Sequence, residues 1–100
     1  GANVFFKDHN GEIHTPIPDS FLDGITRRTV IEIAKSKNIK VHERKILPKE
    51  LEKFEGCFLT GTAAEVTPVS QIQDFKFKVC NTIIDLSESY QSLVRKKAAA

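Results

Sequence analysis

The 100-residue sequence contains no methionine, only two cysteines and no long apolar run. A membrane-spanning helix needs about 18 or more apolar residues in a row, so the sequence predicts no such helix and no membrane partner. The opening stretch GANVFFKDHNGE lacks a basic region followed by an apolar core, and it therefore predicts no signal peptide. Because the chain does not begin with methionine, we expect it to be a piece of a longer protein. These absences favour a cytoplasmic location.

Thiol and imidazole groups are too scattered in the sequence to predict a redox or metal site. Cys57 and Cys80 form neither a CxxC pair nor a zinc-binding pattern, and both are expected to be reduced. His9, His14 and His42 share no metal-ligand spacing, which favours ordinary surface roles for them. The sequence therefore predicts no metal.

The charge balance is mild. The formal net charge is +2, with 28% charged and 40% hydrophobic residues, which is ordinary for one small globular domain. Nucleic-acid binding needs a basic face interleaved with aromatic side chains, and the single cluster Arg95–Lys97 is insufficient for it. No nucleic-acid partner is predicted.

The pattern of apolar residues predicts the element order β-β-α-β-(short α)-β-β-β-α. A hairpin is predicted around the turn residues Asp8 to Gly11, and the segments IKVHER, CFLT, AEVTPV and DFKFKV are predicted as strands. Strand–helix–strand units favour an α/β fold in which a mixed sheet has flanking helices. The apolar strands VFF and CFLT are expected to pack partly against something that this chain does not contain.

Two longer helices are predicted. The first follows a capping residue, Asp23, and ends near Asn38, while the last begins at Asn81 or Thr82. Helical spacing divides the first helix into two faces. Its apolar face comprises Ile25, Val30, Ile31, Ile33 and Ala34, and its wetter face comprises Arg27, Arg28, Glu32 and Lys35.

The turn Asp23-Gly24-Ile25-Thr26 leads directly into the first helix. The N–H groups of a helix's first turn have no partners within the helix, and the helix dipole adds partial positive charge there. Gly24 would allow a ligand to approach closely, and Thr26 would add a hydroxyl. The turn therefore suits an anion such as a phosphate, although an ordinary capped helix explains the same residues.

The second turn, Gly61-Thr62-Ala63-Ala64, follows the apolar strand CFLT. It offers another exposed N–H group and hydroxyl, and its two alanines leave space for a ligand. A tight β-bulge is the alternative interpretation, because a glycine within a strand often marks one.

These two turns carry a resemblance to a known family. The segments FLDGITRRTVIEIAKSKNIKVHERKILPKEL and CFLTGTAAEVTPV are similar to the C-terminal part of the branched-chain amino acid aminotransferases, which are pyridoxal-phosphate enzymes of fold type IV. The resemblance runs from GANVFF to DLSESYQSLVRKK and so covers essentially the whole chain. It implies that residues 1–100 are a single partial domain, the cofactor-phosphate-binding portion of the C-terminal domain of such an enzyme.

The resemblance also implies roles for residues of the two turns. The N–H groups of Ile25 and Thr26, with the Thr26 hydroxyl, would hold the phosphate of pyridoxal 5'-phosphate, and Thr62 would add another N–H and hydroxyl. Leu22 would lie against the pyridine ring. The implied cofactor-binding residues are Leu22, Gly24, Ile25, Thr26 and Thr62, and the implied substrate-binding residues are Ala63 and Ala64.

The same resemblance implies transfer of an amino group between leucine, isoleucine or valine and 2-oxoglutarate, in branched-chain amino-acid biosynthesis. The Schiff-base lysine and the N-terminal domain would lie outside this chain, so no catalytic residue is assigned here and the isolated chain is expected to be inactive. The complete enzyme is expected to be a homo-oligomer, a dimer or larger. Alternatives are a D-amino acid transaminase or an aminodeoxychorismate lyase-like enzyme of the same fold, and a non-catalytic phosphate-binding or assembly module.

Overall fold

The computed structural model describes residues 3–17, 24–61 and 65–99. Within them, the element order agrees with the predicted one and has one additional short strand. The elements are β1 (Asn3–Asp8), β2 (Ile13–Thr15), α1 (Ile25–Ser36), β3 (Val41–Glu43), a 3-10 helix (Pro48–Lys53), β4 (Phe54–Gly61), β5 (Glu65–Pro68), β6 (Gln71–Ile72), β7 (Phe75–Lys76) and α2 (Asn81–Ala99).

Five of the described strands form one sheet in the order β3-β2-β1-β4-β5. β1 pairs antiparallel with β2 and with β4, β4 pairs antiparallel with β5, and β2 pairs parallel with β3. Two neighbouring parallel strands need a crossover connection, and α1 lies in the connection between β2 and β3. The predicted α/β fold, a mixed sheet with flanking helices, is confirmed.

One face of the sheet, the helix face, packs against α1 and α2. Here Phe5 of β1 stacks on Phe58 of β4 with ring centroids 4.9 Å apart, and both side chains are fully buried. Burying each large apolar side chain contributes roughly 1.5–3 kcal/mol. The buried core on this face comprises Phe5, Ile13, Val30, Ile31, Ala34, Phe58, Val66, Ile83 and Leu86.

The opposite face of the sheet is covered by segments that follow β3 and β5. Phe6 of β1 stacks on Phe54 with ring centroids 4.9 Å apart, and the Phe77 ring lies 6.0 Å from that of Phe6. The hairpin formed by β6 and β7 adds Ile72 and Phe75 to this cluster. The expectation that VFF and CFLT need a partner outside this chain is wrong for Phe5, Phe6, Cys57 and Phe58, because the chain's own segments bury them, whereas Val4 and Leu59 are half-buried.

The first helix differs from its prediction at its N-terminal end. The N-cap residue is Gly24 rather than Asp23, which lies outside the described residues. The predicted faces are also partly wrong, since Ile25 is 85% exposed and Arg27 is 1% exposed. Arg27 is buried because its guanidinium donates a hydrogen bond to a Glu43 carboxylate oxygen at 2.8 Å, and a buried cation requires such a partner.

The strand predicted over DFKFKV is shorter in the structure and spans only Phe75–Lys76. Two residues later the Lys78 N–H donates to the Glu55 carbonyl at 2.8 Å, which draws the chain away from the hairpin and towards β4. The predicted end of α1 near Asn38 is confirmed, because α1 ends at Ser36 and Asn38 adopts a left-handed φ of 63°. Neither helix, over its described residues, combines the length and the apolar character that crossing a membrane requires.

Candidate functional site

The N-terminus of α1 has no side-chain cap among the described residues. Gly24 occupies the N-cap position in an extended conformation, with no capping hydrogen bond from a side chain of the described residues. The first hydrogen bond of the helix runs from the Arg28 N–H to the Gly24 carbonyl at 3.1 Å, so the N–H groups of Ile25 and Thr26 have no partner within the helix. The first turn contains no acidic residue. The partial positive charge at this helix end therefore favours an anion.

The last helix reaches this turn through Tyr90. The Tyr90 hydroxyl lies 3.4 Å from Thr26 Oγ1, which is a long contact for two hydroxyl groups. A threonine hydroxyl has one donor and two acceptor positions, so Thr26 keeps capacity for a further partner. α2 thus helps to orient the hydroxyl without using all of its hydrogen-bonding capacity.

Two buried polar side chains lie beside the same turn. Asn3 of β1 and Thr60 of β4 are register partners, and strand alternation places both on the helix face with Phe5 and Phe58. Thr60 is 0% exposed and Asn3 is 9% exposed. Neither Asn3 Oδ1 nor Thr60 Oγ1 has a hydrogen-bond partner in the part of the chain that the structure describes. A Cβ built on Gly24 would lie 3.9 Å from Asn3 Nδ2, so α1 begins beside these unpartnered polar groups.

Most of the second predicted turn, residues 62–64, lies outside the described residues, and the described chain on either side of it belongs to β4 and β5. Gly61 at the end of β4 and Glu65 at the start of β5 are register partners in antiparallel strands. The alternative of a bulge within one strand is therefore wrong, because two separate strands meet here. The Ser87 hydroxyl of α2 donates to the Val66 carbonyl at 3.3 Å, so the helix that contacts Thr26 also contacts β5.

The predicted site residues divide into two groups. Gly24, Ile25 and Thr26 are described and form the open N-terminus of α1. The other four, Leu22, Thr62, Ala63 and Ala64, lie outside the described residues.

Sequence reasoning did not assign Thr60 or Tyr90 to the site. Tyr90 falls within the predicted last helix and Thr60 at the end of the predicted strand CFLT, and neither was given a role in the site. A polar residue at the end of an otherwise apolar strand was the available signal for Thr60.

Neither the cysteine thiols nor Lys7 provides an available nucleophile. Lys7 is 9% exposed and forms an ion pair with Glu55, and its hydrogen bond holds the pKa of Glu55 below the ordinary value. Burial raises the pKa of Cys57 to about 12 and also raises the pKa of Cys80. Both cysteines are free of disulfides, as predicted, and both are neutral thiols near pH 7. These groups contribute to packing and charge balance in the sheet.

The fold is a mixed α/β domain in which the N-terminus of α1, whose first N–H groups lack partners within the helix, lies beside two buried polar side chains that have no partner among the described residues. Comparison with known proteins then identifies the protein family. The chain belongs to the family of class IV amino-transferases, whose model matches residues 1–72.

Similar proteins match more of the chain than the family model does. The probable branched-chain-amino-acid aminotransferase of Rickettsia bellii is 44% identical over 98 residues, a match that covers 94% of this chain and 34% of that protein. The structure of the branched-chain aminotransferase from Thermoproteus uzoniensis with norvaline superposes with a TM-score of 0.87 at 36% identity, covering 94% of this chain and 32% of that one. The structure of the Thermobaculum terrenum branched-chain amino acid aminotransferase in its PLP form superposes with a TM-score of 0.88 at 33% identity. This match covers 94% of this chain and 32% of that chain. The chain thus spans about a third of the length of these relatives.

Proposed function

We propose that this chain is the cofactor-phosphate-binding portion of a pyridoxal-phosphate-dependent branched-chain amino acid aminotransferase. The observation that carries the proposal is the open N-terminus of α1, which lies beside the buried pair Asn3 and Thr60. The catalytic lysine and the rest of the substrate pocket would be supplied by sequence outside these 100 residues. The length of the relatives, about three times that of this chain, supports this division.

The backbone geometry supports convergence of the two turns. Register partners such as Asn3 and Thr60 have Cα atoms roughly 4.5–5.5 Å apart in antiparallel strands. Two peptide units join Thr60 to Thr62, which limits their separation to about 7 Å. Since Gly24 lies beside Asn3, this covalent limit is compatible with a position of Thr62 near the first turn of α1. This supports the proposal that Thr26 and Thr62 bind one phosphate together.

The donors in these turns suit a phosphate dianion. The N–H groups of Ile25 and Thr26 and the hydroxyls of Thr26 and Thr62 would each donate to phosphate oxygens. A hydrogen bond to a charged group contributes about 1.5–3 kcal/mol, and the helix N-terminus adds roughly 0.3–1 kcal/mol. Gly24 suits this position because it leaves the approach to these N–H groups free of a side chain. The residues present therefore fit the phosphate of the cofactor.

The remaining assigned residues would shape the two sides of the same site. We propose that Leu22 lies against the pyridine ring and that Ala63 and Ala64 line the space for the amino acid. When bound, pyridoxal phosphate supplies an electron sink that protein side chains lack. In this proposal, the role of this chain is to bind and orient pyridoxal phosphate and to exclude water from it.

The similar proteins suggest the substrate class. The Rickettsia bellii relative is named as a probable branched-chain-amino-acid aminotransferase, and the Thermoproteus uzoniensis structure is of such an enzyme with norvaline. We therefore propose leucine, isoleucine and valine with 2-oxoglutarate as substrates, in amino-acid biosynthesis by a homo-oligomer. The free cysteines support a cytoplasmic location.

Cofactor binding by the complete polypeptide that carries this chain tests the proposal. Thr26→Val removes one hydroxyl without changing side-chain shape, and it should weaken pyridoxal phosphate binding by roughly ten- to a hundredfold. Thr29→Val, one turn later on α1, is the matched control and should leave the dissociation constant unchanged. Unphosphorylated pyridoxal should bind equally to both variants, because the lost contact is to phosphate.

Three results would overturn the proposal. One is an unchanged affinity of Thr26→Val for pyridoxal phosphate. Another is amino transfer from leucine to 2-oxoglutarate by the 100-residue chain alone. The third is a preference of the complete polypeptide for D-alanine over L-leucine, L-isoleucine and L-valine, which would indicate a D-amino acid transaminase.

A further inference from the structure

A second cluster of chemically active side chains lies on the sheet face opposite the helix face. His14 of β2 is the register partner of Phe6, and its ring lies 5.3 Å from that of Phe54. Both phenylalanines belong to the core on that opposite face. The sheet therefore separates this cluster from the turns that we assign to the phosphate.

The cluster is built by the parallel pairing of β2 with β3. His14 and His42 are register partners, and their rings stack with centroids 4.7 Å apart. Glu12 comes just before β2, and its Oε1 lies 2.6 Å from His42 Nε2. One ligand atom from each of Glu12, His14 and His42 lies within 4.8 Å of the other two. Small side-chain rotations would bring these three ligand atoms to within metal–ligand bond distance of a single ion.

The donor set selects the kind of ion. Two imidazole nitrogens and one carboxylate oxygen suit zinc and related transition metals, whereas magnesium and calcium prefer oxygen ligands alone. Three protein ligands leave one tetrahedral position for water. We propose that Glu12, His14 and His42 bind one divalent transition-metal ion of the zinc type. The ion would join the turn before β2 to β3, which is one of the two edge strands of the five-stranded sheet.

Neighbouring groups support the required ring orientation. His14 Nε2 lies 2.8 Å from Asp8 Oδ2, and His14 Nδ1 accepts a hydrogen bond from Arg44 Nε at 3.2 Å. The ion would bind one of the two His14 ring nitrogens. The hydrogen-bond partner of the other nitrogen would then fix the orientation of the ring, as outer-shell partners commonly do in metal sites. The positive charge of Arg44 opposes a cation only weakly, because its guanidinium is paired with Glu50 at 2.8 Å.

The probe for this site is Zn²⁺ itself. Calorimetric titration of zinc chloride into the chain, with no affinity tag, should show one ion bound per chain. His42→Gln and Glu12→Gln should each weaken the affinity by at least about tenfold. His9→Gln is the matched control, because His9 belongs to the same hairpin, is 67% exposed and is not in the cluster. Zinc should raise the melting temperatures of wild type and of His9→Gln by similar amounts and that of His42→Gln by less.

Two spectroscopic measurements on the unmodified chain keep the test independent of variant folding. Zinc should shift the imidazole NMR signals of His14 and His42 and leave those of His9 in place. Cobalt(II) substituted for zinc should give visible bands without a thiolate charge-transfer band. Absence of saturable zinc binding, equal affinity in wild type and His42→Gln, or a thiolate band that places the ion on Cys57 or Cys80 would each overturn the proposal.

Discussion

Replacing Arg27 with methionine tests whether its buried guanidinium fixes the start of α1. The Arg27 side chain is 1% exposed, and it donates hydrogen bonds to the Pro16 carbonyl at 3.1 Å and to Glu43 Oε1 at 2.8 Å. These contacts join the first turn of α1 to the end of β2 and to β3. Methionine retains the apolar volume of the arginine stem but removes the charge and both hydrogen bonds.

The size of the effect depends on how much water the remaining groups regain. Removing one partner of a buried ion pair costs about 3–5 kcal/mol when the other charge stays buried. The Glu43 side chain is 46% exposed, so its carboxylate can be rehydrated and the cost is smaller. We expect Arg27→Met to lower the free energy of unfolding by about 2–3 kcal/mol, with roughly 4–8 °C of melting temperature lost for each kcal/mol.

Urea denaturation followed by circular dichroism measures this change. A double-mutant cycle with Glu43→Gln should give a coupling free energy of about 1 kcal/mol or less, because one partner is half exposed. Arg27→Lys should lie between wild type and Arg27→Met, since lysine retains the charge but not the planar fork of donors. An Arg27→Met variant within about 0.5 kcal/mol of wild type would refute the structural role assigned to this side chain.

Two further changes test the packing under α2 and a charge pair beside β3. Gly56→Ala should destabilise the chain by about 1–3 kcal/mol, because the added Cβ would lie 2.7 Å from Cδ1 of the fully buried Ile83. Gly24→Ala is its control, because the nearest atom to the added Cβ among the described residues is 3.9 Å away, and equal urea midpoints for the two variants would contradict this packing. The hydrogen bond from Arg44 lowers the pKa of Glu50 from 4.5 to about 2, so the stabilisation from this carboxylate is complete above pH 4.5 and is lost as the pH falls towards 2. The difference in urea midpoint between wild type and Glu50→Gln should therefore shrink as the pH falls through that range, and a constant difference would argue against the depressed pKa.

Most of the fold could be predicted from the sequence because its signals are local. Alternating apolar residues, the Asp8 to Gly11 turn and the helical spacing after Gly24 each report on a few neighbouring residues. Arg27 was misassigned for the complementary reason. Its burial depends on Glu43, a partner brought near by tertiary structure, and spacing along one helix carries no information about that partner. Ile25 was misassigned because the first turn of α1 extends beyond the core that its later residues cover.

The candidate site could be predicted only in part for a related reason. The turn at Gly24 to Thr26 has a local signature, whereas the Asn3–Thr60 pair depends on the register between β1 and β4. The cluster of His14 and His42 likewise depends on the register between β2 and β3. A metal site assembled across strands has no spacing along the chain that a motif search could find.

One topological feature underlies both proposed sites. β2 and β3 are parallel, so the chain must cross the sheet between them, and α1 lies in that crossover. The crossover brings the N-terminus of α1 against Asn3 on the helix face. The same crossover returns the chain into β3 with His42 opposite His14 on the other face. If β3 instead paired antiparallel with β2, neither the crossover nor this histidine register would be required. The parallel pairing of β2 with β3 therefore places the proposed phosphate site and the proposed metal site on opposite faces, and removal of zinc should leave the affinity of the complete polypeptide for pyridoxal phosphate unchanged.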